Sequence, residues 1–318
     1  KTENPEKSSS NPARVPDASE AQENPVLASE ATPDQEEILV QDTLPPAPTE
    51  SIVDSQGLPA IADTGQTPFA VYRRPVPGPV ASAIPERGGI ALILMNWGKD
   101  TEAARQAIRI LPAEVSLALS PYSPEAELLV NEARADGHEV LSFLPMQTED
   151  FPRYDPGPLA LLGHLDLKEL IGRTKRVLRL TPGTVGVAAP RGNTLLQNDE
   201  HLRPLLSQLF ARGVMFLDTN AEANPNAQAL AAVKSGYYAH APGQLPDGPD
   251  AEEIQRKLQE MGSQAHMNGQ ILAGTFEYTP LAVRTIAEWA GPLTVRTRQD
   301  LENGKGPILV PVSFLASP

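Results

Sequence analysis

The chain contains no cysteine in 318 residues. Disulfide frameworks, thiol nucleophiles, zinc ribbons and iron–sulfur clusters are thereby excluded, because each needs cysteine sulfur. Histidine is scarce, at five residues (His138, His164, His201, His240 and His266), and aromatics make up only 5%. The formal charge is −14 and no stretch is basic, which argues against nucleic acid, since phosphates must be neutralised by clustered Lys and Arg. No apolar run reaches the roughly 18 residues that mark a membrane-spanning helix. Neither a glycine-rich dinucleotide fingerprint nor a G-x-S-x-G elbow is present. A first residue of Lys1 is compatible with a processed chain whose targeting segment or membrane anchor lay upstream.

What the chain has in excess is proline and acid, and both are unevenly placed. Residues 1–86 hold 14 of the 33 prolines and carry 5 basic against 14 acidic side chains, with Phe69 and Tyr72 as their only aromatics. Such a segment buries too little apolar surface to offset the entropy of ordering its backbone, so it is expected to be a disordered acidic Pro-rich arm. Two stretches depart from that texture. Glu37 to Val40 is a short apolar patch able to dock on something, and Pro75 to Pro85 reads as a polyproline II spacer leading into the fold.

From Ile90 onward, short apolar runs alternate with helical patterns. Ile90 to Met95, Val115 to Leu119, Glu139 to Leu144, Val185 to Ala189, Val214 to Leu217, Tyr237 to Ala241, Gln270 to Ala273 and Ile308 to Phe314 read as strands buried on both faces. Between them lie helices opened by caps such as Asp100, Ser123-Pro124 and Asp166 and stopped by Pro112, Gly137 and Gly213. Seven or eight strands in alternation with helices predict an α/β fold over residues 87–318, a closed or nearly closed (β/α)7-8 barrel rather than an open doubly wound sheet.

In such a barrel the site lies at the C-terminal ends of the strands. The residues there are Asn96 and Trp97, Tyr122, Pro145 to Gln147, Pro190 to Asn193, Asp218 to Asn220, His240, Thr275 to Tyr278, and Ser313. The belt is polar and aromatic but poor in metal ligands. Only Asp218, His240 and Glu277 qualify, on separate strands and without paired spacing, whereas a hydrolytic metal site usually takes three protein ligands. Asp218 also has a structural alternative, capping the loop that follows its strand. His138 precedes its strand and reads as a structural imidazole.

Several landmarks coincide in order: Ile90-Ala91-Leu92-Ile93-Leu94 ahead of Gly98, Leu117 to Pro124, Ala133 to Leu141, Leu144-Pro145-Met146, Pro156-Gly157-Pro158, Arg212 to Asp218 and Leu309 to Ser313. Over residues 88–316 the chain resembles the divergent polysaccharide deacetylase family, envelope proteins related to metal-dependent sugar deacetylases. The resemblance implies a barrel of the glycoside hydrolase/deacetylase type, a location in the periplasm or cell envelope, and a divalent metal such as zinc. The polar positions depart from that pattern. Met95 and Asn96 stand for an Asp pair, Phe143 for a histidine and Gln147 for a glutamate. Ala188 to Asn193 and Gly274 to Glu277 each lack a histidine that the family carries. No metal is therefore expected.

Three functions compete, one of them a scaffold for an envelope complex in which the N-terminal tail is the interacting part; the other two place the function at the barrel mouth. One is a catalytically degenerate protein whose barrel mouth binds a glycan or an envelope protein, with Trp97, Tyr122 and Tyr278 as stacking platforms and Asn96, Gln147, Arg191, Asn193 and Asn220 as hydrogen-bonding groups. The other is an active N-acetyl sugar deacetylase or hydrolase with a non-standard site at Asp218, His240 and Glu277.

Overall fold

The structure, a computed structural model, describes residues 38–39, 52–242 and 250–316. The expected disorder of residues 1–37 and 40–51, and most of the loop at 241–250, fall outside them. Eight parallel strands form one curled sheet: β1 (Gly89–Trp97), β2 (Ser116–Leu119), β3 (Val140–Phe143), β4 (Gly186–Ala188), β5 (Met215–Asp218), β6 (Tyr238–His240), β7 (Ile271–Glu277) and β8 (Ile308–Val310). The order is β6-β5-β4-β3-β2-β1-β7. β7 pairs with β1 from Gly89 to Met95, so β8, at Gly89 to Ala91, and β2, from Ile93 onward, divide the opposite edge of β1. β6 and β7 form no ladder with each other; the Thr275 N–H reaches the Pro242 carbonyl at 3.2 Å across that gap. The barrel is thus nearly closed.

The apolar runs form strands because every residue of β2 to β5 is buried, as a parallel sheet covered by helices requires. The covering helices are α3 (Thr101–Ile110), α4 (Ala126–Ala135), α5 (Leu167–Leu180), α6 (Asp199–Phe210), α7 (Pro225–Lys234), α8 (Ala251–Asn268) and α9 (Pro280–Ala290). Asp100, Asp166, Asn198, Asn224, Asp250 and Thr279 cap all of them but α4 through side-chain oxygens; α4 opens after Glu125, which makes no side-chain cap bond, and so later than the expected Ser123-Pro124. No helix among the described residues is long and apolar enough to cross a membrane.

Three expectations are corrected. Pro75 to Pro85 is not an extended spacer: Gly78–Arg87 is a helix, α2, following a shorter one, α1 (Pro68–Tyr72). Pro79 sits in the first turn, where a missing N–H costs nothing, and Val80 and Ile84, four residues apart, bury one face. Second, the folded domain reaches back to Ile52. Ile52, Leu58, Phe69 and Tyr72 are all buried, so the stretch 52–86 is packed rather than part of a disordered arm. Phe69 stacks on Tyr237 with ring centroids 3.9 Å apart. Third, the last strand stops at Val310. Pro311 supplies no N–H, and Val312–Leu315 turns as a 3-10 helix. A further helix, α10 (Arg298–Asn303), and the length of β7 were not visible in the apolar pattern.

The N-terminal pole of the barrel is a buried polar hub. Glu139 accepts from Ser116 Oγ, the Arg74 N–H and the Ser313 N–H, which joins β2, β3, the N-terminal segment and the C-terminal turn. Ser313 therefore belongs to this pole and not to the mouth. Burial pushes the Glu139 carboxyl up against these four-sided contacts. Arg134, wholly buried, donates to the Tyr72 carbonyl at 2.8 Å and lies over its ring, and burial draws its guanidinium down to about 10. His138 sits between the carbonyls of Val115 and Ile108, at 2.9 and 3.1 Å.

Candidate functional site

At the C-terminal pole the first feature is an irregularity in β1. The register with β2 slips between Leu94 and Trp97, and Asn96 adopts a left-handed conformation at φ 60. An inserted residue of this kind turns the following side chain to the other face. Trp97 consequently points into the helical layer, 0% exposed, and its indole N–H donates to the Ala104 carbonyl at 3.3 Å. The expected stacking platform is a core residue. Asn96 remains at the mouth, with an Oδ1 that is buried and has no hydrogen-bond partner.

The segment after β3 closes over this mouth. Tyr122 is half-buried, and its hydroxyl donates to the Pro156 carbonyl at 2.9 Å while accepting from the Leu159 N–H at 3.0 Å. The hydroxyl is thereby committed to the loop as both donor and acceptor, and Gly157, at φ 94, leaves room for the ring where a Cβ would lie 2.7 Å from its hydroxyl. Burial raises the Tyr122 hydroxyl above the ordinary tyrosine value. Gln147 accepts from the Gly163 N–H at 3.0 Å, and Thr148 bridges to Asn193. Asn193, fully buried, donates to the Pro190 carbonyl at 2.8 Å and to Asn220 Oδ1 at 3.2 Å. Tyr278 is half-buried against the core, and its backbone N–H donates to the Met95 carbonyl. Burial, with the nearby Asp100 charge, raises its hydroxyl as well. Arg191 is exposed.

What remains open is a cavity of about 50 Å³ that Asn96 and Tyr122 share with Lys99, Thr148, Tyr154 and Asp155. The last four escaped sequence reasoning because none directly follows an apolar run. Thr148, Tyr154 and Asp155 lie on the loop that carries the Pro156-Gly157-Pro158 landmark, whereas Lys99 follows β1.

The three acidic and imidazole candidates do not assemble. Asp218 and His240 are neighbours in register across β5 and β6, whereas Glu277 ends β7, in register with Met95 of β1. Asp218 is 0% exposed and accepts from the Asn220 N–H at 3.1 Å, the Asn224 N–H at 3.0 Å and the Tyr238 hydroxyl at 3.0 Å. Burial first, and then the Asp218 charge, push the Tyr238 hydroxyl well above its usual range. The His240 Nε2–H donates to the Asn220 carbonyl at 2.8 Å. Among the described residues no three His, Cys, Asp or Glu side chains gather in a group able to hold a metal ion. The positions that would supply ligands hold Met95, Phe143 and Thr275, all buried, and none offers the carboxylate or imidazole that a hydrolytic divalent-metal site takes. The donor set does not fit a resident metal.

A nearly closed parallel sheet covered by helices, with a loop-covered mouth, defines the class of this domain as an α/β barrel. The chain belongs to the divergent polysaccharide deacetylase family, whose model matches residues 92–297. It is 24% identical over 186 residues to YibQ, an uncharacterized protein of Escherichia coli, covering 58% of this chain and 57% of that one. An uncharacterized protein of Haemophilus influenzae is 22% identical over 168 residues, covering 52% and 59%. The chain thus spans less than two thirds of either relative. The crystal structure of the uncharacterized protein ATU2773 from Agrobacterium tumefaciens superposes with a TM-score of 0.69 at 26% identity, over 81% of this chain and 98% of that one.

Proposed function

We propose that this protein is a catalytically degenerate member of its family that acts by binding at the barrel mouth, in the periplasm or cell envelope, without a resident metal. The observation that carries this reading is the state of Asp218. Metal-assisted deacetylation needs a carboxylate free to ligate the ion or to take a proton from its water. Asp218 instead spends both oxygens on two backbone N–H groups and a tyrosine hydroxyl.

The mouth also bears on the choice of partner. A cavity of about 50 Å³ is far below the roughly 300 Å³ and upward of ordinary ligand pockets, and Trp97 and Tyr122 are engaged elsewhere. These features favour an envelope protein resting on the covered mouth over a sugar ring enclosed within it. Metal analysis of protein purified without chelators, paired with acetate-release assays on peptidoglycan fragments and chitooligosaccharides, tests the first part. Substoichiometric metal and no acetate are expected; stoichiometric metal with acetate release would return the site to Asp218, His240 and Glu277. Calorimetry with the same glycans at millimolar concentration tests the second, and clear binding heat would reverse the preference for a protein.

A further inference from the structure

N-terminal to the folded segment that begins at Ile52, Ile38 and Leu39 lie against the barrel. The Leu39 N–H donates to the Arg296 carbonyl at 2.8 Å, and Ile38 pairs antiparallel with Thr297. The Leu39 side chain packs on a small apolar cluster of Val80 from α2, Val295, Ile308 at the start of β8, and Leu301 from α10. Ile38 is 74% exposed, as alternation along an extended segment requires when one face is docked. This is strand addition in miniature, in which backbone pairing sets the register and a pocket accepts every second side chain.

The receiving side is built independently of the segment it receives. Asp300 Oδ2 accepts from the N–H groups of Arg296 and Thr297 at 2.9 and 2.8 Å, and the Thr297 hydroxyl accepts from the Asp300 N–H, a capping box that fixes the strip 296–297. The Arg296 guanidinium is bonded to Glu114, which also pairs with Arg74. Val295 and Ile308 are each under 5% exposed. The sequence is complementary in charge as well: Glu36, Glu37 and Asp42 flank the docked pair, while Arg298 follows the receiving strip, whose Arg296 is already paired with Glu114.

We propose that the groove between α2, α10 and the start of β8 is a peptide-docking site and that its occupant is this chain's own Ile38–Leu39 segment, acting as a displaceable latch. Ile308 is in register with Gly89, the first residue of β1, so the groove lies at the N-terminal pole, opposite the mouth. A docked latch places Ile38 and Leu39 at that pole, away from the mouth. Among the described residues the latch is held by the Leu39 N–H and the Leu39 side chain, a small contact that an extended aliphatic peptide of similar sequence can replace.

The absence of cysteine makes the test unambiguous. Directly opposed antiparallel residues have Cα atoms about 4.5–5.5 Å apart, inside the range a disulfide tolerates. The full chain carrying Ile38→Cys with Thr297→Cys is expected to form an intramolecular disulfide under mild oxidant at least about tenfold faster than a control with Ile38→Cys and Val233→Cys, the latter exposed on α7. A disulfide-linked dimer would overturn the cis occupant in favour of a second copy, and no preference over the control would overturn docking itself. In parallel, a fluorescent peptide of residues 34–43 is expected to bind full-length Leu39→Asp roughly tenfold or more tightly than wild type, whose own latch competes, and to lose that gain when Leu301→Asp is added. Equal binding to wild type and Leu39→Asp, or binding to neither, would overturn the displaceable latch.

Discussion

Two fully buried carboxylates, Asp218 and Glu139, sit at opposite poles of the barrel and illustrate why chemistry cannot be inferred from residue type alone. Asp218 holds together the turn after β5, so Asp218→Ala leaves the Asn220 N–H and the buried Tyr238 hydroxyl without their acceptor, while the Asn224 N–H keeps the Tyr238 hydroxyl oxygen at 3.1 Å. Each buried unsatisfied group costs about 1–3 kcal/mol, and a loss of roughly 3–5 kcal/mol in denaturant unfolding is expected, with acetate release no different from wild type. A stability change under 1 kcal/mol would mean that the carboxylate is not structural. Glu139 tests the opposite pole through pH. Its folded pKa lies above the unfolded value, so the folded state binds the extra proton between the two, and this group's contribution is full below the unfolded pKa and declines as pH rises through the folded one. Wild type is therefore expected to lose stability relative to Glu139→Gln as pH is raised from about 4.5, by up to ~1.4 kcal/mol per pH unit. Parallel pH profiles for the two proteins would remove the assignment.

The elements divide by whether their physics is local. The apolar runs of β1 to β5 and the caps of α3 and α5 were legible, because continuous burial and a side-chain oxygen bonding its own helix's N–H groups are written in neighbouring residues. The bulge in β1 was not. It depends on how β2 pairs with β1, and it decides whether Asn96 or Trp97 faces the mouth. Position along the chain placed both residues at the correct pole, but direction came from register. Likewise, α2 was hidden by its prolines, since only the tertiary surface offered to Val80 and Ile84 makes that segment helical. The β1 reading has a direct check. Trp97→Ala is expected to cost about 3–5 kcal/mol of stability, as for other buried large-to-small changes, and to leave binding at the mouth unchanged in whatever protein remains folded. Loss of a mouth ligand without loss of stability would instead restore Trp97 as a contact residue.

At the scale of the whole domain, the segment 52–87 behaves as a strap around the barrel. Arg212 binds Asp54 and the Pro59 carbonyl next to β5, Phe69 stacks on Tyr237 before β6, and Arg74 reaches the Glu139 hub at β3. Arg87 donates to the carbonyls of Leu301 and Gly306 beside β8. These contacts link strands across much of the curled sheet, including the side where β6 and β7 lack a ladder. Burying a large apolar side chain contributes roughly 1.5–3 kcal/mol, and the strap buries Ile52, Leu58, Phe69, Tyr72, Val80 and Ile84. That total rivals the 5–15 kcal/mol by which an ordinary domain is stable. A chain begun at Ser51 is therefore expected to unfold cooperatively with a midpoint near that of the full chain. One begun at Arg87, which matches the family-like region most closely, is expected to show no cooperative transition in urea. If the shorter chain unfolded cooperatively at a similar midpoint, the strap would be an appendage, and the barrel would owe its stability to the sheet and its covering helices alone.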